Sequence, residues 1–302
     1  MTQFEFGGQV AIVTGAGRGL GLSHAQLLAS RGARVVVNDV AGAPEAVVAI
    51  RDAGGEAVAS DADISTPAGA KALVCMAVEN FGTLDALINN AGVGRFTTLS
   101  EATVEEYELV RRSGLDGAFY VTREAWPIFV AKGYGRIVVT TSGNGLLGNP
   151  GSVTYAIAKA GVFGMMRATA LDGEPLGIKV NSIGPQASTP MAEAFVSAET
   201  AAQMRVDYPA SLVSPVVAVL ASSACPVTGQ HFDVGGGRVG MTFLATTPGY
   251  YDRAMTPESV LDAWDVVTDV SQYKVYRSGY DSLEMVEVAK RNAGAREAST
   301  PV

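Results

Sequence analysis

The sequence predicts a doubly wound parallel α/β sheet, a single domain carrying a helical extension at its C-terminal end. Three observations predict it. Short, nearly all-apolar runs alternate with longer Ala-rich stretches from Val10 to Val234. A glycine-rich turn joins the first run to the first long stretch. No repeat or low-complexity linker interrupts the alternation. Strands buried on both faces of a parallel sheet lose the polar–apolar alternation of half-exposed ones. Residues 10–13, 35–38, 57–60, 86–89, 137–140 and 179–183 have that character, and 230–234 follow the Thr228-Gly229 turn as a last strand. Helices are expected between them at 20–31, 44–53, 67–81, 104–112, 120–131 and 155–171. Two of these run into glycines, at Arg31-Gly32 and Ala131-Lys132-Gly133, as helix C-termini favour. Strand–helix–strand units of this length cross over right-handedly and cover both faces of the sheet.

Residues 1–240 read as this domain and 241–302 as the extension, which is richer in aromatics and charge. Thr256-Pro257-Glu258 starts a helix, with Thr as N-cap and Pro at the first helical position. Val260, Leu261, Trp264 and Val267 then form an apolar stripe that needs cover, and 281–291 read as another helix. So short a segment builds a marginal core alone, so it is expected to pack on the domain or on a neighbouring subunit.

Composition removes several function classes. Of 302 residues 48% are hydrophobic and 17% charged, which supplies a core and excludes wholesale disorder. Net charge is −8, the wrong sign for a nucleic-acid or anionic-membrane surface. Apolar runs such as 216–221 are too short to span a bilayer. The opening Met1-Thr-Gln-Phe-Glu-Phe6 lacks the basic and apolar regions of a secretory signal, and Thr300-Pro301-Val302 is no peroxisomal tripeptide, so a cytoplasmic location is expected. Cys75 and Cys225 stand without partners at metal spacing and read as small buried hydrophobes; no metal site is expected. With only His24 and His231, little is left for a Ser-His-Asp hydrolase or a His-ligated metal.

Thr14-Gly-Ala-Gly-Arg-Gly-Leu-Gly21 follows the first strand and opens the first long helix. Gly15 allows the tight turn, Gly19 lets backbone approach a phosphate, and Gly21 lets the helix pack on the sheet; Gly17, Arg18 and Leu20 complete the loop. The helix N-terminus offers unpaired N–H groups and a positive dipole end to a pyrophosphate. This strand–turn–helix setting is that of a dinucleotide-binding (Rossmann) sheet. Asp39, ending the second strand, can accept both adenosine-ribose hydroxyls and repel a 2′-phosphate, which favours NAD over NADP. Arg18 pulls the other way, because a guanidinium could meet that phosphate. Asp39 as a turn residue and Arg18 as solvated surface are the plainer alternatives.

Tyr155 and Lys159 are one helical turn apart and share a face. An adjacent ammonium, with the positive nicotinamide of an oxidised cofactor, favours phenolate and is expected to lower the tyrosine pKa from about 10. The phenol could then take a proton from a substrate hydroxyl. Ser142, ending the fifth strand, could hold the substrate oxygen beside it. Taken alone, the pair reads as a helix-face contact and the serine as a loop cap. Between Gln186 and Pro215 the chain carries Met191, Phe195, Val196, Met204 and Tyr208, an apolar lid suited to an acyl chain or steroid, or an ordinary buried helix. Leu146, Leu147 and Asn149 are expected on the opposite wall.

Thr14 to Gly21, Asp63-Ile64, Asn89-Asn-Ala-Gly92, Ser142, Tyr155-Ala-Ile-Ala-Lys159 and Asn181-Ser-Ile-Gly-Pro185 stand in the order and spacing of the short-chain dehydrogenase/reductase family, which residues 7–240 resemble. Val37-Asn-Asp-Val40, Gly133-Tyr-Gly-Arg-Ile137, Gly148-Asn-Pro-Gly151 and the tail stretch 255–264 make the chain most similar to one branch. That branch holds the (3R)-hydroxyacyl-CoA dehydrogenase portions of peroxisomal multifunctional enzymes and their bacterial relatives.

The resemblance implies several roles. Lys159 also bonds the nicotinamide ribose. Asp63 reads the adenine amino group with Ile64 flanking the ring. Asn90, Ala91 and Gly92 line the adenosine ribose. Pro185 and Gln186 lie by the nicotinamide, Gln186 standing where relatives carry glycine. Gly114, in Arg112-Ser-Gly-Leu-Asp-Gly117, takes the place of an asparagine whose main-chain carbonyl serves a proton relay in a kinked helix. Glycine keeps a carbonyl and favours a kink, so the relay is expected to survive there. A homodimer or homotetramer is implied, with the helix near Tyr155 at an interface.

The leading function is an NAD-dependent dehydrogenase of a 3-hydroxyacyl-CoA, then of a 17β-hydroxysteroid. A 3-oxoacyl carrier-protein reductase and a non-catalytic NAD sensor are the alternatives. A CoA ester needs a basic rim, for which Arg95, Arg111, Arg112 and Arg238 are candidates.

Overall fold

The valine triplet of the second strand shows how the sheet is set. In Arg34–Asn38 (β2), Val35 and Val37 face one apolar cluster while Val36 faces the other. Neither side meets water, which is why the strand shows no polar alternation. The same division holds in Val10–Thr14 (β1), where Ala11 and Val13 oppose Val10 and Ile12. Glu56–Ser60 (β3), Ala86–Asn89 (β4), Gly135–Thr140 (β5), Ile178–Gln186 (β6) and His231–Gly235 (β7) extend the parallel array. With Arg238–Thr242 (β8) the order is β3-β2-β1-β4-β5-β6-β7-β8. In this computed structural model residues 4–299 are described; residues 1–3 and 300–302, which carry part of the location expectation, lie outside them.

Helices Gly19–Ser30 (α1), Ala43–Asp52 (α2) and Ser214–Ala221 (α10) cover one face, with Leu28, Ile50, Val217 and Leu220 in its core. Pro67–Phe81 (α3), Gly117–Lys132 (α5) and Val153–Gly173 (α7) cover the other around Leu73, Phe129, Val162 and Met166. α3 matches its expected span, because its signals are local: Thr66 caps Gly69 N–H, Pro67 starts the helix, and Gly82 ends it at φ 78°. Val104–Arg111 (α4) opens with a capping box between Thr103 and Glu106.

Cys225 is buried as expected, but Cys75 is exposed on α3, and four expectations about the elements shift. α5 begins at Gly117 rather than Tyr120, since a π-helical turn, Arg112–Asp116, carries the chain out of α4 without a break. Gly143–Leu147 (α6), Pro190–Glu193 (α8), Ala198–Asp207 (α9) and α10 were not expected as separate helices. β8 was not expected either; it follows the glycine turn at Gly236 and Gly237. Finally, residues 198–221 are apolar and long enough to cross a membrane, against the expectation from run lengths. The structure breaks that stretch at Tyr208-Pro209 and buries Val217, Ala218, Leu220 and Ala221 in the core.

The chain divides into two compact units, residues 1–241 and 242–302. In the second, Thr256 caps the helix Pro257–Asp262 (α11) through Ser259. The apolar stripe does not ride on one helix: Ala263 separates α11 from Trp264–Val267 (α12). A single helical turn, Asp281–Leu283, leads into Glu284–Ser299 (α13), and Thr246 and Lys274 bridge antiparallel.

Candidate active site

In a sheet wound both ways from β1 and β4, ligands meet the carboxyl ends of the strands near that switch point. The singled-out residues gather there. Gly15 turns the chain at φ 62°, and a Cβ on it would lie 2.8 Å from Ala91 Cα. Gly17 and Gly21 are closed tighter: added Cβ atoms would lie 2.3 Å from Ala41 O and 2.2 Å from Gly15 O. Gly19 has φ 59° and starts α1, and Leu20 packs into the core below. Arg18 precedes them in extended backbone, exposed, and gives α1 no side-chain cap. The first N–H groups of α1 thus face outward from a loop of bare backbone. These residues fit the pyrophosphate of a dinucleotide.

Asn90 pins that loop. Its Nδ2 donates to Thr14 O and Gly15 O, both at 3.1 Å, while Thr14 Oγ1 accepts the N–H groups of Asn90 and Ala91. Asn89 reaches the other way, to Thr122 Oγ1 at 2.9 Å. Thr122 drew no notice in the sequence and Thr14 only as the start of the glycine loop, because their partners lie far off in the chain. Asp39 is half-buried; Oδ2 accepts Gly17 N–H at 2.9 Å and Oδ1 accepts Ala41 N–H at 3.1 Å. Its turn role is real, and it sets the carboxylate against the loop. Asp63 is exposed and accepts Ser65 N–H at 2.9 Å. Ile64 is 6% exposed and packs in the core against Gly117, so its side chain serves the core first.

Tyr155 and Lys159 sit on α7, and Ser142 follows β5. The Ser142 hydroxyl lies against the Tyr155 phenol and favours its ionised form, and Ser142 also caps α6 by accepting Asn144 N–H. Lys159 is buried, stands 5.6 Å from the Tyr155 ring centroid, and donates to Thr140 O at 2.7 Å. The expected downward pull on the phenol is not found in the protein's own field. Burial raises the Tyr155 pKa above its ordinary value, and only the Ser142 contact opposes it. Lys159 is itself lowered to about 8 by burial.

Gly114 lies in the π-helical turn, whose Gly117 N–H donates to Arg112 O. The helix is therefore not a regular α-helix at Gly114. A Cβ on Gly92 would lie 3.6 Å from both Gly114 Cα and Lys159 Nζ, so the three meet. A Cβ on Gly114 itself meets nothing within 4 Å.

The remaining substrate candidates separate. Leu146 is half-buried in α6 and Asn149 exposed after it. Pro185 and Gln186 end β6, paired with Val234 and Gly235. Met191, in α8, reaches Gly94. What the sequence missed is Phe96, whose ring lies 5.4 Å from that of Tyr155 and 4.6 Å from that of Phe195. Of the candidate basic rim, Arg111 pairs with Asp116 and Arg112 with Glu108, whereas Arg95 bonds Gly94 O beside Phe96.

His231 forms the one Ser-His-Asp grouping found among the described residues. Nδ1 is 2.9 Å from Ser182 Oγ, and Nε2 faces Asp233 Oδ1 at 3.4 Å, long for a hydrogen bond. Ser182 and His231 are 0% and 1% exposed, so the group ties β6 to β7 and offers no nucleophile. A groove of about 360 Å³ on α1, α2 and residues 211–215 contains none of the site residues.

Comparison with known proteins agrees with this geometry. Residues 9–200 match the family described as short chain dehydrogenase. The chain is 36% identical over 279 residues to a Mycobacterium tuberculosis protein named as a short-chain type dehydrogenase/reductase, covering 88% of this chain and 96% of that one. It is 37% identical over 282 residues to mouse peroxisomal multifunctional enzyme type 2, covering 88% of this chain but only 37% of the enzyme. The full-length Drosophila melanogaster multifunctional enzyme type 2 structure superposes with TM-score 0.80 at 31% identity, over 95% of this chain and 50% of that one. The chain belongs to the short-chain dehydrogenase/reductase family of NAD(P)-dependent oxidoreductases.

Proposed function

We propose that this protein is an NAD-dependent dehydrogenase of secondary alcohols, with a 3-hydroxyacyl-CoA as first substrate and a 17β-hydroxysteroid as second. One observation carries the reading: Ser142 against the Tyr155 phenol, with Lys159 beside the ring and bonded to Thr140 O at the end of β5. Gly15, Gly17, Arg18, Gly19 and Leu20 would hold the pyrophosphate. Asp39 would take the adenosine ribose, and its charge against Gly17 favours NAD over a 2′-phosphorylated cofactor. Asp63, Ile64, Asn90, Ala91 and Gly92 would line the adenosine side, and Lys159 and Pro185 the nicotinamide side. When bound, the cofactor supplies the hydride acceptor.

The chain's own groups do the rest. Ser142 holds the alcohol oxygen and Tyr155 Oη takes its proton. Burial keeps the free phenol protonated, which suits it to donate in the reducing direction; in the oxidising direction positive charge must accumulate beside it. Lys159 supplies part of that charge. The Gly114 carbonyl would carry the proton relay onward; Gly114 Cα and Lys159 Nζ both lie against Gly92, which supports this. The sequence relation to multifunctional enzymes supports the acyl-CoA substrate, and Arg95 at the mouth supports a phosphate-bearing one. A carrier-protein reductase would normally use NADPH, which Asp39 disfavours. Exposed Ile157 and Leu171 on α7 support association into a homodimer or homotetramer through that helix.

NADH oxidation with 3-oxoacyl-CoA esters and 17-ketosteroids tests the reading. Tyr155→Phe should abolish turnover and leave NADH binding, followed by fluorescence, nearly intact. Loss of both together would make Tyr155 structural and overturn the proposal.

A further inference from the structure

Two aromatic side chains from separate segments extend outward from the Tyr155 ring, Phe96 against it and Phe195 against Phe96. Phe96 comes from the loop after β4, and Phe195 from the link between α8 and α9. Their centroids are 4.6 Å apart with planes at 79°, an edge-to-face contact, and Phe96 stands 5.4 Å from the Tyr155 ring at 52°. Met191 joins them. A Cβ on Gly94 would lie 2.9 Å from Phe96 Cε2 and 3.1 Å from Met191 Sδ, so bare backbone at Gly94 is what lets these side chains meet.

The three remain partly open to solvent: Phe96 38%, Phe195 54% and Met191 37% exposed. This is an apolar cluster at the entrance, next to a buried polar group that must receive a substrate oxygen. The contact joins two side chains, so it can part without breaking backbone hydrogen bonds. One such aromatic contact is weak beside the gain from burying several methylene groups. An apolar arm several carbons long can therefore displace it, whereas a small or polar arm cannot.

We infer that Phe96 and Phe195 are specificity-determining residues. They part to take an extended apolar arm attached to the carbon that bears the reacting oxygen, and they close against short or polar alcohols. The inference rests on the reading of the site as a secondary-alcohol dehydrogenase. Met191 lines the same slot and adapts to the arm's shape.

The test is a chain-length series. Purified protein is assayed for NADH oxidation with 3-oxoacyl-CoA esters from four to twelve carbons, alongside Phe96→Ala, Phe96→Leu and Phe195→Ser, with NADH binding confirming that each variant is folded. Wild-type kcat/KM should climb by roughly tenfold or more from short to long arms, the scale that a few buried methylenes give. Phe96→Ala and Phe195→Ser should flatten that ratio to within about threefold, and Phe96→Leu should restore part of it. A length preference unchanged in both variants, or an equal loss for every ester, would overturn the inference and leave the dehydrogenase reading standing. Wild-type protein that binds NADH but reduces no ester or ketosteroid would take down the reading, and the inference with it.

Discussion

Asp39 uses one carboxylate for two purposes. By accepting Gly17 N–H and Ala41 N–H it orders the glycine loop, and in the proposed reading its remaining lone pairs and charge would meet the adenosine ribose. Asp39→Asn separates these. The amide keeps one acceptor oxygen for the loop but loses the charge that repels a 2′-phosphate. The NADPH-to-NADH preference should rise at least about tenfold, one pair's worth of charge–charge energy in a partly exposed setting. Stability should fall by roughly 1 kcal/mol, the cost of one weakened hydrogen bond. Steady-state kinetics with both cofactors and urea unfolding check the two halves. An unchanged preference would mean that Asp39 is only a turn residue. Tyr155 teaches a related lesson: the helical spacing of Tyr155 and Lys159 was plain in the sequence, yet the direction of the phenol's shift was not. Burial is a property of the folded surroundings, and here it outweighs the one opposing contact, from Ser142.

The π-helical turn between α4 and α5 has a strut. Arg111 pairs with Asp116 across it, five residues apart, and both side chains are partly buried. Five residues make just over one turn of a π-helix, whereas in an α-helix they diverge around the axis, so the pair favours the wider turn. Asp116→Asn should loosen the turn and lower kcat several-fold with little change in the KM for NADH, and a restored ion pair in the Arg111→Asp/Asp116→Arg double variant should recover part of the loss. Equal falls in every parameter would point to general unfolding instead. Nothing in the sequence around Gly114 announces this strut, since glycine there signals a break as readily as a bulge. The buried strands, by contrast, were legible to within three residues at each end, because most of their positions on both faces are apolar. The lid was not: α9 carries Ala and polar residues without a period, and the short apolar run Val216 to Ala221 gives no helical period by which α10 could be told. The glycine loop and the Ser142–Tyr155–Lys159 group were legible because phosphate approach and proton transfer demand particular residue types. Phe96 was not, because only the fold brings it to Tyr155.

The folded molecule also carries buried bases whose titration ties its stability to pH. His24 is 1% exposed and lowered to about 3, held neutral by burial with Nδ1 on Ser214. Lys159 is 4% exposed and lowered to about 8. In each case the unfolded chain binds more protons than the folded one between the two pKa values, so stability rises with pH across that interval. For His24 the interval runs from about 3 to 6.5, and going from pH 7 to pH 5 should cost about 2 kcal/mol. For Lys159 it runs from about 8 to 10.5, and going from pH 8 to pH 10 should return about 2 kcal/mol. Tyr134 and Tyr155, both raised by burial, act in the opposite sense once the unfolded phenols ionise near 10, so the gain should stop there. Urea midpoints across this range would show the two rises. His24→Gln should remove the acid-side rise alone, since glutamine can still bond Ser214 but does not titrate. Lys159→Met should remove the alkaline one alone and leave a protein at least as stable as wild type near pH 7, though inactive. A wild-type curve running parallel to both variants throughout would mean that neither base is held neutral by the fold, and that the ammonium beside Tyr155 stays charged well above pH 8.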